Sequence, residues 1–232
     1  MSSDKGQICP EKAWSILTKT HSICLSAGWS PILIPPTERV QTYLELLGTI
    51  PPDLMTSSHG LALQYDPTCS VIRMLMDNVL PGKRVFYFAP VSRNGRTSWQ
   101  IGFEVLGEEM PYGEIEAIMM MLAVIESLGL SEYRVSLAPP GYEGRILERT
   151  ELDASWLDSL GPLISLLGEK AIIGGIFPVS MGYYRKVRFL IYAKGAGIPI
   201  GAGGRYDGAI PGLLGTGGYL DLEILGRMIC LP

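Results

Sequence analysis

Between residues 11 and 27, Ala13, Leu17, Thr20, Cys24 and Ala27 recur at helical spacing, with Ile16 and Ile23 beside them. Pro10 suits the start of that helix and Gly28 its stop. SPILIPP (30–36) reads as a short strand ended by Pro35 and Pro36, because proline cannot donate to a ladder. A second helix is expected over 40–47, stopping at Gly48, and a third over 69–79, ending before Pro81. The period then changes. KRVFYFAPVS and SWQIGFEVLG are rich in β-branched and aromatic residues and flank RNGR, whose Asn94-Gly95 pair signals a hairpin. In the second of these strands Trp99, Ile101, Phe103 and Val105 share one face, and Gln100, Gly102 and Glu104 share the other. A polar face centred on glycine suits a ligand-facing strand, and it equally suits an ordinary half-exposed one. A helix over 114–128 closes at Gly129, and YRVSLA is a strand. The stretch 153–167 is a helix with Trp156, Leu160, Leu163, Ile164 and Leu167 inward. VRFLIYA and IPIGAGG form a second hairpin about 194–197. Hairpins exclude a purely parallel sheet, so the order predicts an α+β fold, an antiparallel sheet flanked by helices, with residues 1–232 as a single domain.

Composition narrows the class. Apolar residues make up 47% and charged residues 18% of 232, enough apolar side chain for a substantial core and too much for disorder. The net charge of −4 lowers the expectation of a nucleic-acid ligand, which calls for a basic face. The cysteines (Cys9, Cys24, Cys69, Cys230) show no CxxC spacing, and His21 and His59 are the only histidines. No metal site can be composed locally, and buried or idle thiols in a reducing compartment are expected. The N-terminus is polar, with no apolar signal core. The longest apolar run, residues 118–125, is far short of the ~20 needed to span a bilayer. These features predict a cytoplasmic protein with no membrane association.

The 28 glycines concentrate in the last third, around 201–208 and 212–218. GAGGRYDG holds neither GxGxxG between strand and helix nor GxxxxGK[ST], which disfavours a dinucleotide or Walker-type loop. Taken alone it is a tight turn at a strand end. Several segments in order carry more weight: AGWSPILIPPTE, LALQYDPT, KRVFYFAPVSRNGRTSWQIGFEVLG, FPVSMGYY, GAGGRYDG and, more weakly, GGYLDLEILGRMI. In this order they resemble the first motif, the LRPEGT-like segment, the second motif, the RGLDYY segment, the AGGRYDG segment and the third motif of histidyl-tRNA synthetases.

That resemblance implies a class II synthetase-like fold and an amino-acid pocket for histidine. Asp66 and Thr68 match the groups that hold the amino group, Gln100 and Glu104 those of the QIGxE strand, and Tyr183 and Tyr184 the paired tyrosines near the ring. Gly203, Gly204 and Arg205 belong to the loop that shapes the pocket. Carboxylates and a hydroxyl suit an ammonium, and aromatic faces suit a flat ring. The catalytic positions depart from the pattern. The second-motif arginine falls at Tyr87 and its glutamate at Ala89, the RGLDYY arginine at Val179 and the LRP arginine at Gln64. Arg227, after Gly226, is the one candidate for the third-motif arginine. Without those cations phosphoryl charge goes unstabilised, and losing one such contact typically costs ~10²–10³ in rate. An anticodon-binding domain is not expected, nor a cofactor, nor tRNA as a ligand. The pattern resembles the regulatory subunit of ATP phosphoribosyltransferase, a non-catalytic paralogue that partners a short-form catalytic subunit in the first step of histidine biosynthesis. That implies a self-dimer within a hetero-oligomer that activates the transferase and helps feedback control by histidine. The alternatives are a stand-alone amino-acid sensor or accessory subunit on the same fold, and a minimal histidyl-adenylate-forming enzyme.

Overall fold

The computed structural model describes residues 8–138, 142, 144–152, 154–175, 184 and 186–229. Helix α1 (Pro10–Ser26) buries Ile16, Thr20 and Cys24, and Gly28 leaves it with a positive φ. Strand β1 (Ser30–Pro31) pairs with β4 (Arg84–Arg93) for two residues only, then Pro35 and Pro36 turn the chain away. Strands β2 (Thr37–Arg39) and β3 (Leu61–Leu63) form a small ribbon around α2 (Val40–Leu47), which ends at a left-handed Gly48. Helix α3 (Pro67–Met76) begins two residues before its expected start, because Asp66 caps it by accepting from the Thr68 amide and Pro67 fits the first turn. Strand β4 and β5 (Arg96–Leu106) are joined by Asn94 and Gly95, both at positive φ, as a tight hairpin demands. There follow α4 (Tyr112–Ser127), β6 (Tyr133–Ala138), β7 (Ile146–Leu147), α5 (Ala154–Leu167) and β8 (Ala171–Gly174). The chain returns through β9 (Arg188–Ala193), β10 (Gly201–Arg205), β11 (Gly215–Asp221) and α6 (Leu222–Met228).

Among the described residues nine strands form one sheet in the order β1-β4-β5-β11-β10-β9-β6-β8-β7. It is mostly antiparallel, as expected, with two parallel pairs, β1 with β4 and β6 with β8. Strand β11, which the sequence pattern does not reveal, lies inside the sheet between β5 and β10. Glycine is a poor strand former, yet here it lets neighbours close in: a Cβ on Gly218 would sit 2.8 Å from the Ala202 carbonyl oxygen and 2.9 Å from the Phe189 ring.

The strand alternation sorts the sheet into two faces. Ile101, Phe103, Val105, Phe189, Ile191 and Leu220 pack with α1, α4, α5 and α6 into one continuous core. On the other face α2 and α3 cover only the β4–β5 side, where Val85, Tyr87, Ala89 and Tyr206 meet Tyr43 and Ile72. Among the described residues, that face beyond β5 is left to β11, β10 and β9, and a pocket forms there.

Candidate functional site: a polarised pocket on the open face

A cavity of about 250 Å³ is walled by Asp66 and Thr68 from the start of α3, Tyr87 and Arg93 from β4, and Gln100 from β5. Ala202, Tyr219, Arg188 and Leu190 supply the sheet floor, and Tyr184, Ile198 and Pro199 the far rim. Capping fixes Asp66. The strand period puts Gln100, Gly102 and Glu104 on this face together.

Glu104 lies beneath the wall rather than on it. Its carboxylate is fully buried and accepts from Thr68 Oγ1 at 2.8 Å, Tyr206 Oη at 2.8 Å and Tyr87 Oη at 3.1 Å. Burial pushes its carboxyl up to about 8, and nearby Asp66 adds to that; the hydrogen bonds from Tyr206, Thr68 and Tyr87 oppose it. Tyr87 reaches Glu104 by lying across Gly102, its cross-strand partner. A Cβ there would stand 1.9 Å from the tyrosine ring. Gln64 is turned inward and pinned, accepting from Tyr43 Oη and donating to Ser70 Oγ, both at 2.8 Å.

The other residues singled out from the sequence divide. Tyr184 and Gly203 line the cavity, while Gly204 packs beneath the Tyr184 ring. Arg205 faces the opposite side of the sheet, a correction to its expected place around the pocket. It donates from Nη2 to Glu114 Oε2 of α4 at 2.8 Å and from Nη1 to Asp207 at 3.0 Å. The physical reason is strand alternation: Arg205 pairs with Thr216, and a Cβ on Gly113 of α4 would touch both side chains. Tyr183 and Val179 lie outside the described residues. Cys24 and Cys69 are buried, and burial pushes both thiols up, Cys24 to about 12. Cys9 is exposed and Cys230 lies outside the described residues. Among the described residues no cluster of His, Cys, Asp and Glu could hold a metal ion, and no helix is long and apolar enough to cross a membrane.

Two arginines on the wall escaped the sequence reading. Arg93 donates from Nε to the Tyr65 carbonyl at 2.8 Å and stands 5.0 Å above the Tyr65 ring. It lies six residues beyond Tyr87 on the same strand, so period-2 counting places both on one face; that signal was present. Arg188 is buried and donates from Nη2 to the Tyr142 carbonyl at 3.0 Å. The sequence pattern itself pairs β9 with β10 as a hairpin, and the face that Arg188 takes follows from the register of that pair. The wall thus joins a carboxylate, an amide, hydroxyls and two guanidiniums around a largely apolar floor. It can bind a small charged molecule by ion pairing and hydrogen bonds.

Residues 10–173 match the family model of histidyl-tRNA synthetase. The histidine–tRNA ligase of Thermotoga petrophila is 27% identical over 144 residues, covering 53% of this chain and 34% of that protein. The ATP phosphoribosyltransferase regulatory subunit of Halothermothrix orenii is 28% identical over 105 residues, 41% of this chain and 25% of its own. Among solved structures, an ATP phosphoribosyltransferase regulatory subunit/histidyl-tRNA synthetase from Bacillus halodurans superposes with a TM-score of 0.79 at 20% identity, covering 97% of this chain and 82% of that one. That likeness shows a class II tRNA synthetase-like fold. The chain spans roughly a third of the length of the histidine–tRNA ligases it matches first.

Proposed function

This chain belongs to the histidyl-tRNA synthetase family, and from that premise we propose that it is a non-catalytic regulatory subunit of ATP phosphoribosyltransferase. In this reading it dimerises, assembles with a short-form catalytic subunit in the cytoplasm, activates it and helps relay feedback by histidine. The pocket described above holds an amino-acid effector, and Asp66, Thr68 and Gln100 receive its ammonium and carboxylate. The observation that carries the reading is the state of two described positions where the resemblance leads one to look for arginine and another residue stands. Tyr87 is folded over Gly102 onto Glu104, and Gln64 is held by Tyr43 and Ser70. Neither presents a cation to a phosphoryl group, and preorganised cations are what adenylation needs. Its similarity to proteins named as regulatory subunits of the transferase supports the choice of partner. The test is co-purification with a short-form transferase and assay of that enzyme with and without this chain. Activation of at least tenfold and a gain of histidine sensitivity are expected. A transferase fully active and fully feedback-inhibited alone overturns the proposal.

The position of Arg93 favours a second reading, a minimal aminoacyl-adenylate former, because a guanidinium on the pocket wall can face a phosphate. ATP–pyrophosphate exchange across a panel of amino acids separates the two. Robust exchange with any of them establishes the enzyme.

A further inference from the structure

Thr68 stands between the cavity and the buried carboxylate. Its side chain lines the cavity, and its hydroxyl donates to Glu104 Oε1 at 2.8 Å. Tyr87 holds the same relation from β4, with its Oη 3.1 Å from Oε1. Below them Glu104 is sealed: it fills the place that a Cβ on Gly217 would take, and Tyr206 Oη donates to Oε2 at 2.8 Å. Among the described residues its hydrogen bonds come from hydroxyls alone, and no lysine, arginine or histidine pairs with it. The titratable groups that face it are Asp66 and Cys69 from α3, Tyr87 from β4, and Tyr206 beyond β10 with Tyr184 next to it; each is neutral or anionic. Its neighbours across the sheet, Gly217 of β11 and Gly204 of β10, carry no side chain. Arg93 and Arg188 stand on the cavity wall without an ion pair to it.

A hydroxyl carries one proton and two lone pairs, so what it bonds sets what it offers elsewhere. When Glu104 is ionised, Thr68 and Tyr87 point their protons down at it, and their lone pairs remain for the cavity. When the carboxyl holds its proton, it donates to one of these oxygens, and that hydroxyl is released to turn its own proton into the cavity. An ammonium has three donors and no acceptor, so it fits the first arrangement and is opposed by the second. We propose that an ammonium seated on the Thr68 hydroxyl ionises Glu104, so that the pocket releases one proton to solvent for each cationic ligand it takes. The inference rests on the reading of the pocket as an amino-acid site, and adds how that site senses charge. The step balances: a carboxyl and a free ammonium become a carboxylate, a bound ammonium and a hydrated proton, which leaves past the Thr68 and Tyr87 hydroxyls. Burial holds the carboxyl of the empty pocket up at about 8, with Asp66 adding to that, so at neutral pH the proton is there to release. A cation one hydroxyl away, in a site poor in water, attracts the carboxylate far more strongly than it would in solvent. Binding therefore tightens as pH rises toward 8 and levels off above it.

The experiment is titration calorimetry of the full chain with histidine at pH 7, in two buffers of different ionisation enthalpy, on the wild type, Glu104→Gln, Thr68→Val and Thr68→Ser. The wild type is expected to release about one proton per histidine more than Glu104→Gln. The imidazole titrates in both proteins and cancels in that difference. Thr68→Val keeps Glu104 and removes the bridge, and should lose most of the release; Thr68→Ser should keep it. Imidazolepropionate, which is histidine without its ammonium, should release no such proton. Equal release by the wild type and Glu104→Gln, or undiminished release by Thr68→Val, overturns the proposal. Where a variant does not fold, the wild type decides alone, by releasing a proton with histidine that it keeps with imidazolepropionate, or by failing to. Histidine that binds without the release overturns this proposal only. No binding of histidine overturns it together with the amino-acid reading of the pocket. Activation of the transferase, assayed without amino acid, is scored separately and decides the regulatory reading.

Discussion

Phe103 and Glu104 are neighbours on β5, both fully buried, and they face two different interiors. Phe103 enters the core under α1, α4, α5 and α6, with its ring 6.1 Å from Trp29 in an edge-on contact. Glu104 enters a polar knot of Thr68, Tyr87 and Tyr206 below the pocket. One interior is held by apolar area and close packing, the other by satisfied hydrogen bonds around a group that burial disfavours as a charge. The difference is one of purpose as well as material. The first interior fixes the sheet, and the second buries a carboxyl beneath Thr68 and Tyr87, which line the pocket.

The largest effect expected from breaking this contrast lies on the apolar side. Phe103→Ala should destabilise the fold by about 3–5 kcal/mol through lost transfer energy and a cavity that the surrounding helices close only in part. Urea unfolding monitored by circular dichroism checks it. A cost below about 1 kcal/mol would mean that this face is not the organising core. The variant should keep the pH dependence of the wild type, since Phe103 packs in the apolar core on the side of the sheet away from Glu104.

The apolar face is also the part that sequence reasoning reaches. Periodicity alone places Phe103, Ile101, Leu160 and Leu163 inward, because one face of a strand or helix repeats at a fixed spacing whatever its neighbours are. The hairpin at Asn94-Gly95 follows from turn chemistry in the same local way. Strand β11 escapes that reading: GTGG has little strand tendency of its own, and its reason for being there is contact with residues far away in the chain. On the pocket side, matching motifs by order along the chain brought Asp66, Thr68, Gln100 and Tyr184 to one site but set an arginine position at Tyr87. It passed over Arg93 on the same strand. Arg205 went the other way, named with the pocket because its segment is, although alternation turns it toward Glu114. Motif order is a statement about neighbourhoods, and pairing register decides faces.

A smaller effect is expected on the polar side, and it depends on pH. The Glu104 carboxyl is raised from 4.5 to about 8 by burial, so the folded state holds a proton that the unfolded chain releases. That contribution to stability is whole below about pH 4.5, falls as pH rises, and is gone above about 8. The greatest slope one such group can give is about 1.4 kcal/mol per pH unit. Glu104→Gln, which keeps the shape and cannot ionise, should flatten the difference in unfolding free energy between pH 5 and pH 8. Parallel curves for the two proteins would place Glu104 in water, and the contrast with Phe103 would fall.

The smallest expected effect is the sharpest probe of the knot. Tyr206→Phe removes one donor to Glu104 and no ring atoms, so its packing cost is slight; the lost bond should cost about 1 kcal/mol near neutral pH. The Tyr206 hydroxyl favours the ionised carboxylate, so its removal raises the Glu104 carboxyl further. The window in which stability falls with pH should then extend above 8, opposite in sense to the flattening by Glu104→Gln. Tyr133→Phe is the control. That hydroxyl bonds Glu126, a half-exposed carboxylate which water can satisfy in its place. Its loss should cost less than half as much and leave the pH window where it was. If the two tyrosines behave alike, the hydrogen bonds around Glu104 carry no more weight than those at the surface, and the polar interior is no different in kind from solvent. If they differ as described, Glu104 reports its own protonation through the stability of the whole sheet, and that readout is open to any cation that enters the pocket above it.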